Sequence, residues 1–243
     1  MILIRKAVAL LSLAALGGLI VTLERGYYGV DPRFVLVAYL LLLPLALTMV
    51  GLVLGRVWGR WLALAGAIAV LPWALVLTFG LPKGVPLTQQ TIALVASLLL
   101  LLSMSGRSMF EHCEGRSKMD WSGRRMDLVR WTVILNIASA IGLFLFVAVY
   151  RYAIEWHVVI PGVLLLGLVV GVSLLALQKT VGLLLVGLSC VLFVPAGSFF
   201  VWKEASYTGE VYLFAAVFLP GVVAGWACLF AFGKPIWRAL RWG

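Results

Sequence analysis

The sequence is poor in charge and in the residues that carry most enzyme chemistry. Only 12% of its 243 residues are charged, and it has three cysteines and two histidines. It contains no H-E-x-x-H pair, no glycine-rich phosphate loop and no Cys/His set at metal-ligand spacing. These absences exclude a disulfide framework and the common zinc and nucleotide-dependent enzymes. We therefore expect no cofactor, no resident metal and no catalytic centre.

The chain is instead rich in apolar residues, which make up 64% of its positions. A helix needs roughly 20 mostly apolar residues to cross a bilayer, and eight stretches meet that length. These predicted spans lie near residues 3–23, 34–54, 61–80, 87–105, 131–150, 157–177, 181–201 and 211–232. The prediction is an all-α fold in which residues 1–243 form a single integral membrane domain, a polytopic bundle of eight transmembrane helices.

The first of these stretches also has features of a secretory signal peptide, because Arg5 and Lys6 precede an apolar run. That run ends at Thr22-Leu23-Glu24-Arg25 and lacks a small-x-small cleavage site. We predict that the first helix is retained.

Basic residues are concentrated on one predicted side of the bilayer, most of all in the loop 106–130 between the fourth and fifth spans. The positive-inside rule then places both termini in the cytoplasm, and we expect a bacterial inner-membrane protein. The net charge of +10 is explained by insertion topology and anionic lipid headgroups, so we expect no nucleic-acid partner.

The two groups of four spans share some landmarks. Each second span carries a proline followed by Gly-x-x-x-Gly, with Pro44 before Gly51 and Gly55, and Pro161 before Gly167 and Gly171. An even number of helices in each half would give a parallel 4+4 internal repeat. The spacings do not match residue for residue, so duplication and coincidence both stay open.

Small residues provide three predicted helix-packing faces. They are Gly51 with Gly55, Gly167 with Gly171, and Gly221 with Gly225. Small residues let membrane helices approach closely, since lipid offers little hydrophobic drive between them. Each face could pack within the bundle or bind another membrane protein.

No ionisable residue falls deep inside a predicted span, which argues against ion-coupled transport of a charged solute. Asn136 is the exception among the polar residues, because an amide inside a membrane helix usually bonds to a neighbouring helix. It could also line a polar path.

Acidic residues gather on the predicted outer rim together with one histidine. They are Glu24, Asp31, Glu155, His157, Glu204 and Glu210. A ring of carboxylates could bind a cation, a metal or an amine headgroup. The alternative is solvated loop charge beside an aromatic belt.

The loop 106–130 is predicted to contact anionic headgroups of the inner leaflet or an acidic soluble partner. Its basic candidates are Arg107, Arg116, Lys118, Arg124 and Arg125. The neighbouring Glu111-His112-Cys113-Glu114 has residue types that bind zinc, but adjacent residues cannot all face one ion.

Three functions fit these features. The favoured one is a non-catalytic membrane subunit that binds another membrane protein, lipid, or both. The second is a permease or flippase-like transporter of an apolar or amphipathic solute. The third is a lipid-modifying enzyme that uses Glu155 or His157 as a base.

Overall fold

The computed structural model describes residues 1–27, 32–79, 86–115, 124–150 and 180–208, and helical positions between 160 and 174. These residues are almost entirely helical and include no strand, which confirms the all-α prediction. The helices are α1 (Ile2–Tyr27), α2 (Pro32–Val53), α3 (Val57–Phe79), α4 (Leu87–Met104), α5 (Arg107–Cys113), α6 (Arg124–Tyr150) and α7 (Thr180–Thr208). The stretch 211–232 lies outside the described residues.

The segment predicted as a loop over 106–130 contains helical structure. Helix α5 lies inside it, and α6 begins at Arg124, seven residues before the apolar stretch starts at Trp131. The charged residues at the start of α6 are compatible with a helix. Arg130 Nη1 donates to Asp127 Oδ1 at 2.6 Å, and an i,i+3 pair of this kind stabilises a helix. Basic composition was therefore a poor guide to where the helix begins.

Contacts divide the chain into two compact units. The first comprises Met1–Arg116 with Ile141–Ile154, and the second comprises Ser117–Ala140 with Glu155–Gly243.

Helices α1–α4 of the first unit pack as a closed ring. Helix α1 contacts α2 and α4, and α3 contacts the same two helices from the other side. Each helix therefore lies beside its neighbours in sequence, and the contact between α1 and α4 closes the ring.

Helix α3 is the most enclosed element of this ring. Five consecutive residues, Trp61 to Ala65, are all buried, and the indole of Trp61 is fully so. Burial at every position of a turn requires apolar or small residues on all faces, as the sequence Trp-Leu-Ala-Leu-Ala provides.

Helix α4 has an outward face that is mostly apolar. Its large apolar residues on this face are Ile92, Val95, Leu98, Leu99 and Leu102, all more than two fifths exposed, and Thr88 and Thr91 are exposed near its start. The buried face combines Leu100 and Met104 with the polar residues Gln90, Ser97 and Ser103. An outward face this rich in leucine, isoleucine and valine is unlike that of a helix on the surface of a soluble protein.

Two described segments are long and apolar enough to cross a membrane. They are Ile2–Thr22 in α1 and Leu87–Met104 in α4. Two further apolar segments, Leu41–Val53 and Val57–Pro72, are shorter.

Candidate functional site

The first unit buries an ion pair at the end where α3 begins. Arg60 lies in the first turn of α3, and its side chain is 8% exposed. Its Nη1 donates to Oε1 of Glu114, whose side chain is fully buried. Burying a guanidinium is costly unless its charge and its N–H groups find partners.

Further bonds join this pair to α4 and add a second bond from α3. The Arg60 Nε donates to the carbonyl oxygen of Met104 at 3.1 Å, and the Trp61 Nε1 donates to Glu114 Oε1 at 3.0 Å. Met104 is the last residue of α4, so its carbonyl oxygen would otherwise lack a helical partner. We call Arg60, Trp61, Glu114 and the Met104 carbonyl the Arg60 clamp.

Helix α5 supplies the other side of the Arg60 clamp. Glu114 is its C-terminal capping residue, and its amide donates to the Phe110 carbonyl at 2.7 Å. The Phe110 ring centroid is 5.7 Å from Arg60 Cζ, which is within cation–π range. The clamp thus fixes a seven-residue helix that is too short to be stable alone.

Helix α1 also contacts the turn between α4 and α5. Arg5 Nη1 donates to the Ser105 carbonyl at 2.7 Å. Gly106 follows with a φ of 115°, and a Cβ there would lie 2.7 Å from Arg5 Nη1. The backbone conformation therefore favours glycine, whereas the guanidinium, at the end of a flexible side chain, can shift to make room for a Cβ.

The described part of the first unit contains an apolar pocket and an apolar surface groove. One is a pocket of about 60 Å³ between α1–α4 and α6, with Leu13, Leu41, Leu62, Leu100 and Ile141 in its wall. The other is a surface groove of about 410 Å³ between α1 and α4. Each is lined almost entirely by apolar side chains, so neither resembles a site for an ion or a sugar.

The structure separates the residues of the predicted zinc-type sequence. Glu111 lies 60% exposed on α5 and accepts from Arg107 Nε at 2.8 Å, whereas Glu114 is buried in the Arg60 clamp. Cys113 is buried as well. Among the described residues, no three His, Cys, Asp or Glu side chains converge at a distance suited to one metal ion.

Gly51 lies at a close crossing of helices, but its neighbour there is Gly59 and not Gly55. A Cβ on Gly51 would lie 2.6 Å from Gly59 Cα, and a Cβ on Gly59 would lie 2.3 Å from the Gly51 carbonyl carbon. The backbones of α2 and α3 therefore touch where they leave their connecting turn.

Gly55 ends α2. It has a φ of 63°, its amide donates to Leu52 O at 3.1 Å, and the Arg56 amide donates to Gly51 O at 2.8 Å. These two bonds define a Schellman motif, in which glycine avoids the steric cost of a left-handed backbone.

Gly167 and Gly171 pack against α7 within the second unit. A Cβ on Gly167 would lie 2.6 Å from Ser189 Oγ, and one on Gly171 would lie 2.9 Å from Val186 Cγ2 and 3.1 Å from Gly182 O. This face is therefore occupied by the chain itself. Gly221 and Gly225 lie outside the described residues.

Asn136 is completely buried on α6. Its Nδ2 donates to the Thr132 carbonyl of its own helix at 2.8 Å. Within the described residues its Oδ1 is buried and has no hydrogen-bond partner. The neighbouring-helix partner predicted for Asn136 is therefore not among the described side chains.

The outer-rim prediction falls largely beyond the described part of the chain. Asp31, Glu155, His157 and Glu210 lie outside it. Glu24 and Glu204 lie in the last turns of α1 and α7, where only the backbone is described.

The basic residues of the predicted loop are only partly described. Arg107 is 91% exposed on α5, Arg124 and Arg125 form the first turn of α6, and Arg116 and Lys118 lie outside the described residues. Of these five side chains, the structure describes that of Arg107 alone.

Sequence reasoning missed the Arg60 clamp. The sequence analysis named Glu114 only among residue types that bind zinc, and it gave Arg60 no place in a site. The pairing joins residues 54 positions apart, and no local pattern reports such a distance.

Comparisons with protein-family models, curated proteins and solved structures give no match.

Proposed function

We propose that this chain is a non-catalytic helical protein of the bacterial inner membrane that serves as an embedded component of a larger membrane assembly. In this proposal, eight helices span the bilayer as a bundle, the two groups of four form a parallel repeat, and both termini are cytoplasmic. Its partners are anionic lipid headgroups at the cytoplasmic face and another membrane protein.

The observation that carries the proposal is the apolar outward face of α4. Leu98, Leu99 and Leu102 face outward, while Ser97 and Ser103 are buried. Exposed leucines are costly in water and favourable against lipid tails. The buried hydroxyls bond to carbonyls of their own helix, at 3.0 Å for Ser97 and 2.9 Å for Ser103. Such self-contained bonding suits a helix that has no water around it.

The described interior of the first unit favours a structural component over a transporter. Its pocket of about 60 Å³ is lined by apolar side chains and by Thr48, whose hydroxyl already donates to the Pro44 carbonyl at 2.6 Å. The Arg60 clamp also uses its charges internally, since Glu114 accepts from both Arg60 and Trp61. This arrangement fixes the ends of helices and leaves little for a substrate.

The ring of α1–α4 supports only the first group of four. All four helices belong to one compact unit, which also includes Ile141–Ile154 from the end of the fifth predicted span, and consecutive helices of the ring pack side by side. Short connections between antiparallel neighbours are typical of helical bundles.

The experiment is fractionation of cells that carry the tagged protein, followed by native mass spectrometry in a gentle detergent. We expect the protein to resist alkaline extraction and to come with another membrane protein at a fixed ratio. Release into the alkaline wash would contradict the membrane assignment. A monomer that retains one specific solute would replace the subunit proposal with transport.

A matched pair of variants tests the lipid-facing surface separately. Leu98 is 41% exposed on the outward face of α4. An aspartate near the centre of a membrane helix costs about 3 kcal/mol of insertion free energy, whereas on a water-exposed surface it costs almost nothing. We expect Leu98→Asp to reduce membrane insertion strongly and Leu98→Ala to leave it near wild type. Equal insertion of the two variants would contradict a lipid-facing α4.

A further inference from the structure

We propose that the groove between α1 and α4 binds an acyl chain of an anionic phospholipid, with the lipid phosphate beside Arg5 and Arg107. This inference rests on the proposed membrane location and adds the class of ligand and the residues that bind it.

The groove is formed by two helices whose side chains leave a shallow apolar channel. Its walls are Val8, Leu11 and Ala15 from α1 and Ile92, Val95 and Leu99 from α4. Leu11 is 71% exposed and Val95 is 48% exposed, so the channel is open at the surface. An apolar channel that opens outward on a membrane helix pair meets lipid first.

The two hydroxyls in the groove are already hydrogen bonded. Ser12 Oγ donates to the Val8 carbonyl at 2.8 Å, and Thr91 Oγ1 donates to the Leu87 carbonyl at 2.9 Å. A hydrocarbon chain can therefore cover both residues without breaking a bond to water or stranding a donor.

The length of the groove suits part of an acyl chain. From Val8 to Ala15 the α1 wall rises by about 10 Å, within the roughly 15 Å depth of one leaflet.

The two ends of the groove differ in charge. Arg5 bonds to the Ser105 carbonyl, which places the start of α1 beside the end of α4. Gly106 contacts the Arg5 guanidinium, and Arg107 comes next in the chain. Thr91, an uncharged residue, is at the other end. A cationic end and an apolar channel match the polarity of a phospholipid.

Both arginines have N–H groups that can bind a phosphate. Arg5 uses Nη1 for Ser105, and a guanidinium has five N–H donors. Arg107 is 91% exposed, and its bond to the exposed Glu111 is of the kind that contributes little to stability. An arginine exchanges such a partner readily for a phosphate, which it can bind through two parallel hydrogen bonds.

The test is lipid titration of the full-length, delipidated protein by native mass spectrometry. Phosphatidylglycerol and phosphatidylcholine with identical acyl chains are the two probes. We expect phosphatidylglycerol to bind at least about ten-fold more tightly, which corresponds to about 1.4 kcal/mol. Equal binding of the two lipids would overturn the role given to the arginines.

Two pairs of variants locate the bound lipid. Val95→Trp fills the groove from its rim, and Leu98→Trp places the same ring on the same helix outside the groove. Arg107→Gln removes a proposed phosphate ligand, and Arg56→Gln removes an exposed cation from the α2–α3 turn. We expect Val95→Trp to lose lipid binding and Arg107→Gln to lose most of the preference for phosphatidylglycerol. The two control variants should behave as wild type.

Other results of these experiments would separate a folding defect, a partner helix and the absence of a bound lipid. If Val95→Trp fails to fold, Leu11→Trp fills the same groove from α1 at a more exposed position. Equal lipid binding by a groove variant and Leu98→Trp would overturn the proposal. Loss of a co-purifying protein with lipid binding unchanged would reassign the groove to a partner helix. A protein that stays in the membrane without groove lipid refutes this inference alone, whereas release by alkali refutes the proposed function.

Discussion

The Arg60 guanidinium donates a hydrogen bond to the Glu114 carboxylate, although 54 positions separate the two residues in the chain. Both side chains are buried where α3 begins. The pair connects the start of α3 to the end of α5, and the Met104 carbonyl adds the end of α4. Three chain segments therefore depend on one buried charge. This makes the Arg60 clamp the most sensitive point for mutation among the described side chains of the first unit.

Replacing Glu114 should destabilise the protein strongly. Glu114→Gln leaves the Arg60 charge buried without its counter-ion, and breaking a buried pair in this way costs about 3–5 kcal/mol. Glu111→Gln is the control, because Glu111 is 60% exposed on the same short helix. Thermal unfolding in mild detergent, followed by circular dichroism, measures the difference. Equal unfolding temperatures for the two variants would refute the clamp.

Replacing both partners should recover most of that loss. In the double variant Arg60→Met with Glu114→Leu, neither charge remains to be buried, and such replacements are often neutral or stabilising. The hydrogen bonds from Trp61 to Glu114 and from Arg60 to the Met104 carbonyl are also lost, so we expect a residual loss of about 1–3 kcal/mol. A double variant as unstable as Glu114→Gln would show that packing, not charge, dominates at this position.

The crossing of α2 and α3 should not tolerate a methyl group. In Gly59→Ala the new Cβ would lie 2.3 Å from the Gly51 carbonyl carbon and 2.6 Å from the Leu52 nitrogen, both backbone atoms. Overpacking of this kind costs about 1–3 kcal/mol. Gly66→Ala on the same helix meets nothing within 4 Å and should gain up to about 1 kcal/mol from helix propensity. Their unfolding free energies should therefore change in opposite directions.

The turn after α2 should depend on the left-handed conformation of Gly55. At a φ of 63°, a residue with a Cβ costs about 1–2 kcal/mol, and asparagine costs less than alanine. We expect the order of stability to be Gly55, then Gly55→Asn, then Gly55→Ala. Gly18→Ala, where a Cβ meets nothing within 4 Å, should cause no loss. Unfolding in denaturant would contradict the assignment if Gly55→Ala matched wild type.

The packing against α7 should distinguish two glycines that look alike in sequence. Gly167→Ala meets only the Ser189 hydroxyl, which can rotate away, whereas Gly171→Ala meets Val186 Cγ2 at 2.9 Å and the Val186 nitrogen at 3.0 Å. We expect Gly171→Ala to lower the unfolding free energy by about 1–3 kcal/mol and Gly167→Ala by clearly less. Adding Ser189→Ala should relieve the remaining strain of Gly167→Ala. The reverse order would show that the two helices pack in another register.

Hydropathy predicted where most of the described helices lie. The predicted stretch 87–105 corresponds to α4 at Leu87–Met104, and 61–80 falls within α3 at Val57–Phe79 apart from its final residue. Runs of apolar residues locate helices well because hydropathy is averaged over many positions, so no single residue decides the result. The start of α6 was misplaced because the prediction followed apolar residues, and its first turn is charged.

Hydropathy could not predict which residues contact one another. The Gly51-x-x-x-Gly55 spacing suggested one packing face, but Gly55 serves as a helix stop and Gly59 of the next helix provides the partner. Small-residue spacing alone cannot say which residue lies across an interface. A turn signal was present, since Gly55 and Arg56 separate two apolar stretches, and it would have predicted the C-terminal cap of α2.

The Arg60 clamp also constrains the order of events during synthesis. Chains grow at about 5–20 residues per second, so Glu114 is added roughly 3–11 s after Arg60, given the 54 positions between them. During that interval the guanidinium cannot pair with Glu114. The Arg60 clamp is therefore completed only after α4 and the short helix α5 have been made, whereas the apolar contacts of α1, α2 and α3 need no later residue.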